Sequence, residues 1–447
     1  MAARLEPAAS FQKLLDGPAP ILALAPMQEV TDLPFWRLMT RYGGADLYFT
    51  EYFRVHADSH PEKWILQSLT ENPTGRPAIA QMIGNDIPSL VRTARKLQEY
   101  PVAAIDLNLG CPAPILALAP MQEVTDLPFW RLMTRYGGAD VYFTEYFRVH
   151  ADSNVEKWIL ESITANPTGR PAVAQMIGND IPSLIRTARK LQEYPVAAID
   201  LNLGCPAPIV YKKCAGGGLL REPKRVDAIL GALRDAVRVK FTVKTRIGFD
   251  DPAVFDEFLP IFARHSIDLL TVHGRTVSEM YRSEVHYDAI ARAVEAVPCP
   301  VLSNGNVYSA AKAADVLALT GARGLMIGRG AIRNPWIFEQ IRQHQRGEEI
   351  TLPSGCDVLG YIGALYDAVC TPDVSERMQV QKMKRYLNFI GLGVEPTGAF
   401  LHDVRRVTTR AELFRVCETF LDHRDPMPLE PFALALKPTD VMAGEHL

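Results

Sequence analysis

PAVAQMIGNDIPSLIRTARKLQEYPVAAIDLNLGCP, residues 171–206, holds an apolar run at 171–178, an amphipathic helical stretch at 181–193 and a second apolar run at 197–204. A helix between two buried-strand runs is a βαβ unit, which sets its strands parallel in one sheet. The alternation extends both ways. Upstream, ILALAPM (115–121) and VYFTEYF (141–147) read as strands around a helix near 126–136. Downstream, FTVKTRIG (241–248), LLTVHGRT (269–276), PVLSNGNV (300–307) and GLMIGRG (324–330) alternate with helical stretches near 223–238, 253–265, 287–297 and 309–319. Eight strands with such crossovers close most simply into a (β/α)8 TIM barrel, an α/β fold; an open doubly wound sheet is the alternative. From about 355 the strands stop. Helices are expected at 357–370, 376–391 and 400–421, giving a small all-helical domain at 355–425 after a linker at 346–356, with an irregular tail at 426–447.

A repeat complicates the N-terminal side. Residues 18–111 recur as 112–205, with eight differences in 94 positions, all mild, such as Leu47/Val141 and Ile79/Val173. Pro-Ala-Pro-Ile opens at 18, 112 and 206, the trace that unequal recombination or a misassembled gene would leave. Two long units do not make a solenoid. Each supplies four strands, half of an eight-stranded barrel. Only Cys111–Pro114 separate the last strand of the first copy from Ile115, and parallel neighbours need a crossover of about a dozen residues. The barrel is therefore expected at 112–345, built on the second copy, with 1–111 an appended half-barrel. The rival arrangement docks the first copy and loops out part of the second.

Composition bounds the rest. The chain has 447 residues, is 48% hydrophobic and 22% charged, and carries a net charge of −3, which offers no global pull toward nucleic acid or membrane. No apolar run approaches the roughly 18 residues of a membrane span. The N-terminal stretch lacks an apolar signal core, and Glu6 and Asp16 argue against a transit peptide. Seven cysteines without a CxxC pair read as a reduced, cytoplasmic protein with neither a disulfide framework nor a metal site. A monomer is expected.

In such barrels the working groups sit at the C-terminal strand ends. Here those ends carry Pro120, Met121 and Gln122, then Gln175, Asn202 with Cys205 just beyond, Lys244 and Arg246, His273 and Arg275, Asn304-Gly305-Asn306, and Gly328-Arg329-Gly330. Glycine turns after the last two strands suit a phosphate cradle, with Lys244, His273 and Arg329 adding positive charge. Gln175 and Asn202 suit the edge of a flat heterocycle. No GxGxxG follows a first strand, so a phosphate-bearing mononucleotide, FMN before others, fits better than a dinucleotide. An unperturbed thiol is mostly protonated near neutrality, so Cys205 can donate a proton. A hydride donor beside it would reduce a polarised C=C bond.

Together LAPMQEVTD, QMIGND, DLNLGCP, VKTRIGFDD, TVHGRT, SNGNV and IGRGAIRNPWIF resemble the tRNA-dihydrouridine synthase family over about 112–425. The resemblance implies FMN held at Pro120, Met121, Gln122, Gln175, Asn202, Lys244, His273, Asn304, Gly305, Asn306, Gly328 and Arg329. It implies Cys205 as the acid protonating uracil C5, hydride delivery to C6, and NADPH as reductant. Gly216-Gly217-Gly218, with Lys212 and Lys213, would belong to a mobile loop after the fourth strand. Two departures stand out. The LAPM strand occurs twice, and Cys111 repeats the motif without the IVYKKCAGGG loop, so Cys111 is expected to be inert. Gln122 stands where relatives commonly carry a small residue, so its contact would be through backbone.

Residues 377–410 hold seven basic side chains against Glu395 and Asp403. Lys382, Lys384, Arg385, Arg405 and Arg406 are expected to track tRNA phosphates, without reading bases. Two other readings stay open. One is an FMN barrel acting on a free pyrimidine. The other is a catalytically dead tRNA-binding protein in which the extra half-barrel blocks closure.

Overall fold

The computed structural model describes residues 6–27, 30–55, 59–84, 87–108 and 113–432, and divides into two compact units, Met1–Ala113 and Pro114–Leu447. Cys111 and residues 433–447 of the expected tail lie outside the described residues.

In the larger unit eight parallel strands close on themselves: β1 (Ile115–Leu118), β2 (Val141–Phe143), β3 (Ala172–Gly178), β4 (Ala198–Leu203), β5 (Lys240–Arg246), β6 (Leu269–His273), β7 (Val301–Asn304) and β8 (Gly324–Ile327). The seam joins β8 to β1, with Gly324 opposite Ile115 and Ile327 opposite Leu118. A side chain at Gly324 would stand 2.1 Å from the Ile115 carbonyl oxygen, so this joint requires glycine. Ala117, Phe143, Val173, Ala198, Leu302 and Met326 pack together inside the cylinder. Among the described residues this sheet is made of strands from Ile115 onward, and the strands before it form a sheet of their own.

Two expected elements are interrupted. The run 141–147 forms β2 and a separate segment, Phe147–Val149, both paired with β3. Between them the Thr144 hydroxyl oxygen accepts the Gln175 amide (3.1 Å), so a side chain stands in for a ladder carbonyl. The stretch 400–421 becomes helices Ala399–Val404 and Arg410–Leu421. Thr409 is extended and closes a capping box with Glu412, so the second helix starts afresh. Helices Lys157–Thr164 and Ile337–Arg346, which the sequence reading left unassigned, complete the outer ring.

The C-terminal helices Gly355–Val369, Glu376–Ile390 and Arg410–Leu421 share one apolar core with the barrel's first helix, Leu127–Met133. Phe129 stacks on Tyr386 at 6.1 Å between ring centroids, and the Tyr386 hydroxyl donates to the Val124 carbonyl (3.0 Å). Past the last helix, the irregular chain is pinned where Arg333 Nε donates to the Leu429 carbonyl (2.7 Å).

The smaller unit repeats the local structure. Asp32, like Asp126, caps its helix with φ −77° and ψ 179°, accepting the amide three residues on. Strands Ala23–Leu24, Leu47–Phe49, Ala78–Gly84 and Ala104–Leu107 lie parallel in that order, with Phe53–Val55 also on Ala78–Gly84, over a core that includes Trp36, Tyr48 and Phe53. Burial separates the copies. Leu38 is 46% exposed and Leu107 40%, whereas Leu132 is 2% and Leu201 0%. The reason is tertiary: Leu132 joins the core shared with the C-terminal helices, and β4 is flanked by β5.

Candidate active site

Parallel register lines up the functional side chains along one rim. Asp200 faces Gln175 on β3 and Thr242 on β5; Asn202 faces Lys244, Arg246 faces His273, and His273 faces Asn304. Because side chains alternate in direction, residues two apart return to the same face, so the same rim collects groups from successive strands.

A buried relay fixes the centre of this row. Asp200 accepts from Thr242 Oγ1 (2.6 Å) and from Gln175 Nε2 (2.8 Å), and Gln175 Oε1 accepts from Asn202 Nδ2 (2.8 Å). Asn202 Oδ1 then accepts the backbone amides of Gly204 and Cys205, each at 2.9 Å. The turn carrying the thiol is thus set by side chains on two strands. Burial raises the Asp200 carboxyl to about 6, its hydrogen bonds and Lys244 opposing. Burial, with Arg246 alongside, draws the Lys244 ammonium down to about 8, while Asp200 and Cys205 oppose the shift. Asn202, which holds the Cys205 turn, lies opposite Lys244 in the β4–β5 ladder. Burial also raises the Cys205 thiol, which favours its protonated form.

Tyr146 is the residue that the sequence reading missed. It lies in the gap after β2, where burial and then the neighbouring Cys205 raise its phenol above the usual range. No spacing signal marks it, because the contact arises only when β2 breaks. The triple glycine also differs from its expected place in a mobile loop. Gly216–Arg221 is a buried 3-10 turn packed on the thiol's backbone, with the Gly217 amide donating to the Cys205 carbonyl (3.2 Å). Gly216 has φ +52°, and a side chain there would meet Cys205 Cβ at 3.0 Å. Lys212 and Lys213 are exposed beside it.

The other side of the mouth is cationic. His273 is buried with Nδ1 unpartnered, and burial and then Arg246, Lys244, Arg275 and Arg329 hold it neutral, well below its usual range. Arg275 is 2% exposed; its Nε donates to the Ser283 carbonyl (2.7 Å), while Nη1 is buried without a partner. Arg246 is committed to the carbonyls of Gly204, Thr276 and Met280, each at 2.9 Å. The Arg329 guanidinium lies 4.2 Å from the Tyr281 ring centroid. Asn304 Nδ2 donates to the Met326 carbonyl (2.7 Å), and Gly305 (φ +132°) and Asn306 (φ +50°) turn the chain behind it. Gly328 ends β8 beside Met121, whose sulfur a side chain at 328 would meet at 3.2 Å. Pro120 and Gln122 are half-buried, and Gln122 Oε1 is buried without a partner.

The basic C-terminal residues divide. Lys382 reaches Asp126 (3.9 Å) and Arg385 pairs with Glu123, so both tie their helix to the loop after β1. Lys384 donates to the Arg405 carbonyl (2.9 Å). Arg405 and Arg406 are exposed.

Crowded cations, a neutral imidazole and buried polar atoms without a partner at the mouth of a closed barrel suit an anionic group. Residues 23–117, and again 117–386, match the family model described as Dihydrouridine synthase (Dus). The chain belongs to the dihydrouridine synthase family, flavin-dependent oxidoreductases. It is 29% identical over 313 residues to the tRNA-dihydrouridine(16) synthase of Neisseria meningitidis serogroup A / serotype 4A, covering 68% of this chain and 94% of that protein. It is 38% identical over 237 residues to tRNA-dihydrouridine synthase B of Pasteurella multocida, covering 53% and 71%. Against tRNA-dihydrouridine synthase B of Pseudomonas syringae the identity is 40% over 233 residues, covering 51% and 68%.

Proposed function

We propose that this chain reduces uridines in tRNA to 5,6-dihydrouridine, with FMN as cofactor, NADPH as reductant and Cys205 as proton donor. The observation that carries the reading is the shared rim: the β4 turn sets a neutral thiol, and β5 presents an ammonium to the same space. The chemistry of the donor set fits a flavin mononucleotide. His273 Nδ1 and Arg275 Nη1 are buried donors or acceptors awaiting a partner, and with Arg329 they suit a phosphate. Lys244, Gln175 and Asn202 suit the polar edge of the ring, and Pro120, Met121, Gln122, Asn304, Gly305, Asn306 and Gly328 would complete the walls.

When bound, the flavin supplies the hydride for uracil C6. Cys205 Sγ holds the proton for C5, so one hydride and one proton saturate the C5=C6 bond. Tyr146 orients the thiol. The buried relay from Thr242 through Asp200 and Gln175 to Asn202 holds the turn that carries it, so Cys205 is positioned before substrate arrives. A base inside a folded tRNA must be extruded to reach a barrel mouth, and loops make that cheaper. Exposed Arg405 and Arg406 would contact the tRNA backbone, and Lys382, Lys384 and Arg385 on the neighbouring helix would do so by exchanging Asp126, the Arg405 carbonyl and Glu123 for phosphate. Among the described residues no helix is long and apolar enough to cross a membrane. Six cysteines stand free there, which supports a reducing compartment, the cytoplasm.

The test is dihydrouridine mapping in tRNA incubated with the purified protein and NADPH. Cys205→Ala should keep its yellow flavin and its NADPH oxidation yet make no dihydrouridine. A variant that still forms dihydrouridine at the wild-type rate would remove the thiol from the reaction.

A further inference from the structure

The extra half-barrel supplies none of the residues named for that chemistry, and its edges say what it is suited to hold. In the second copy both edges of the four-strand segment are taken, β1 by β8 and β4 by β5. In the first copy the corresponding strands stand at the two ends of an open sheet, Ala23–Leu24 at one and Ala104–Leu107 at the other. The exposure follows. Ala23 and Ala25 are exposed where Ala117 and Ala119 are buried, and Leu107 is 40% exposed where Leu201 is 0%.

We infer that two copies of this chain associate through these half-barrels, 4 + 4 strands closing a second, symmetric eight-stranded barrel. The occupant follows from what the edges require. Each must meet a parallel strand, and β5 to β8 of the same chain are already engaged with the second copy. A two-fold axis along the barrel axis sets the Ala23–Leu24 edge of one protomer beside the Ala104–Leu107 edge of its partner, twice, and leaves every strand pointing the same way. The interface is self-complementary by symmetry. The interior volume also balances. In the closed barrel the second half contributes Leu302 and Met326 to the inner cluster beside Phe143 and Val173. In the symmetric barrel a second Phe49 and Ile79 would take those places, with small residues, Ala23 and Ala104, lining both joints. Unpaired parallel edges without such a partner are templates for uncontrolled pairing. This reading departs from the monomer expected from the sequence.

The test is the mass of the full chain in solution by light scattering coupled to size exclusion. Twice the chain mass of 49.6 kDa is expected. The double variant Ala23→Asp/Leu107→Asp places carboxylates at positions that are exposed in the unpaired unit and buried in the joint, so the mass should halve with the circular dichroism unchanged. Should that variant aggregate, hydrogen exchange on the wild-type chain decides: amides of 23–24 and 104–107 should slow as concentration rises. A single-chain mass for the wild type at every concentration overturns the inference. So does a double variant that stays dimeric, a larger polydisperse assembly, or exchange at those amides that ignores concentration.

Discussion

Leu38 and Leu132 occupy the same place in two nearly identical sequences, yet removing their side chains should have very different consequences. Leu132 is 2% exposed within the core that joins the barrel to the C-terminal helices, whereas Leu38 is 46% exposed. Truncation of a fully buried leucine loses its transfer free energy and leaves a cavity, together about 3–4 kcal/mol. At Leu38 about half the side chain is already in water and no closed void forms, so Leu38→Ala should cost about 1 kcal/mol or less. For a large unit, Leu132→Ala then lowers the melting temperature by roughly 4–8 °C. The chain holds two compact units, so the readout must belong to the barrel. Release of bound flavin, followed by its fluorescence during heating, provides that. Leu132→Ala should release flavin early, and Leu38→Ala should release it with the wild type. Trp36→Phe and Trp130→Phe serve as controls, since both tryptophans are 0% exposed and each should weaken its own unit. If Leu38→Ala destabilised the flavin-bearing barrel as much as Leu132→Ala, the reasoning would fail, and the first copy would have to be the one built into the barrel.

Flavin affinity should weaken as pH rises through about 8, because burial brings Lys244 down to that value and the polar edge of the ring then loses its charged partner. The sign for folding is opposite: between about 8 and the ordinary lysine value of 10.5 the folded protein binds fewer protons than the unfolded chain, so this group's burial penalty is relieved. Fluorescence titration of flavin across that window checks it, and Lys244→Met should bind weakly at every pH with the step abolished. Gly216→Ala forces a side chain into a left-handed turn against Cys205 and Ile177, at a cost of about 1–3 kcal/mol. It should slow dihydrouridine formation more than NADPH oxidation; equal slowing would mean that the turn does not position the thiol. Tyr386→Phe strands the Val124 carbonyl inside the shared core and should cost about 1–3 kcal/mol, while Arg385→Ala, whose pair with Glu123 is partly exposed, should cost under about 1 kcal/mol. Urea denaturation ranks the two, and the reverse order would refute the account of how the C-terminal helices are held.

Much of this protein was legible before any coordinates. Apolar runs separated by helical stretches imply the parallel barrel, because local periodicity fixes which segments are strands and the crossover length fixes their direction. The four-residue gap between the copies excludes a barrel that uses both in succession. The positions of Asn202, Lys244, His273 and Asn304 at or near strand ends were readable for the same reason, since a parallel barrel brings all C-terminal strand ends to one face, whereas Gln175 lies mid-strand in Ala172–Gly178. The helix caps are also local: Asp32 and Asp126 adopt the same geometry in both copies.

What sequence could not decide were the contacts made between distant segments. Tyr146 comes beside Cys205 in the gap where Thr144 interrupts β2, and the glycine turn is buried against Cys205, Ile177, Val277 and Tyr211. Lys382 and Arg385 read as a free basic face until the loop after β1 supplies Asp126 and Glu123. The plainest case is the repeat itself. Two segments that differ at eight of 94 positions carry the same propensities and caps, so sequence gives both the same strands and helices. Which of them closes into a barrel depended on the neighbours available to cover its edges. Burial is a property of the surrounding chain, and here the surroundings alone separate a closed barrel from an open sheet.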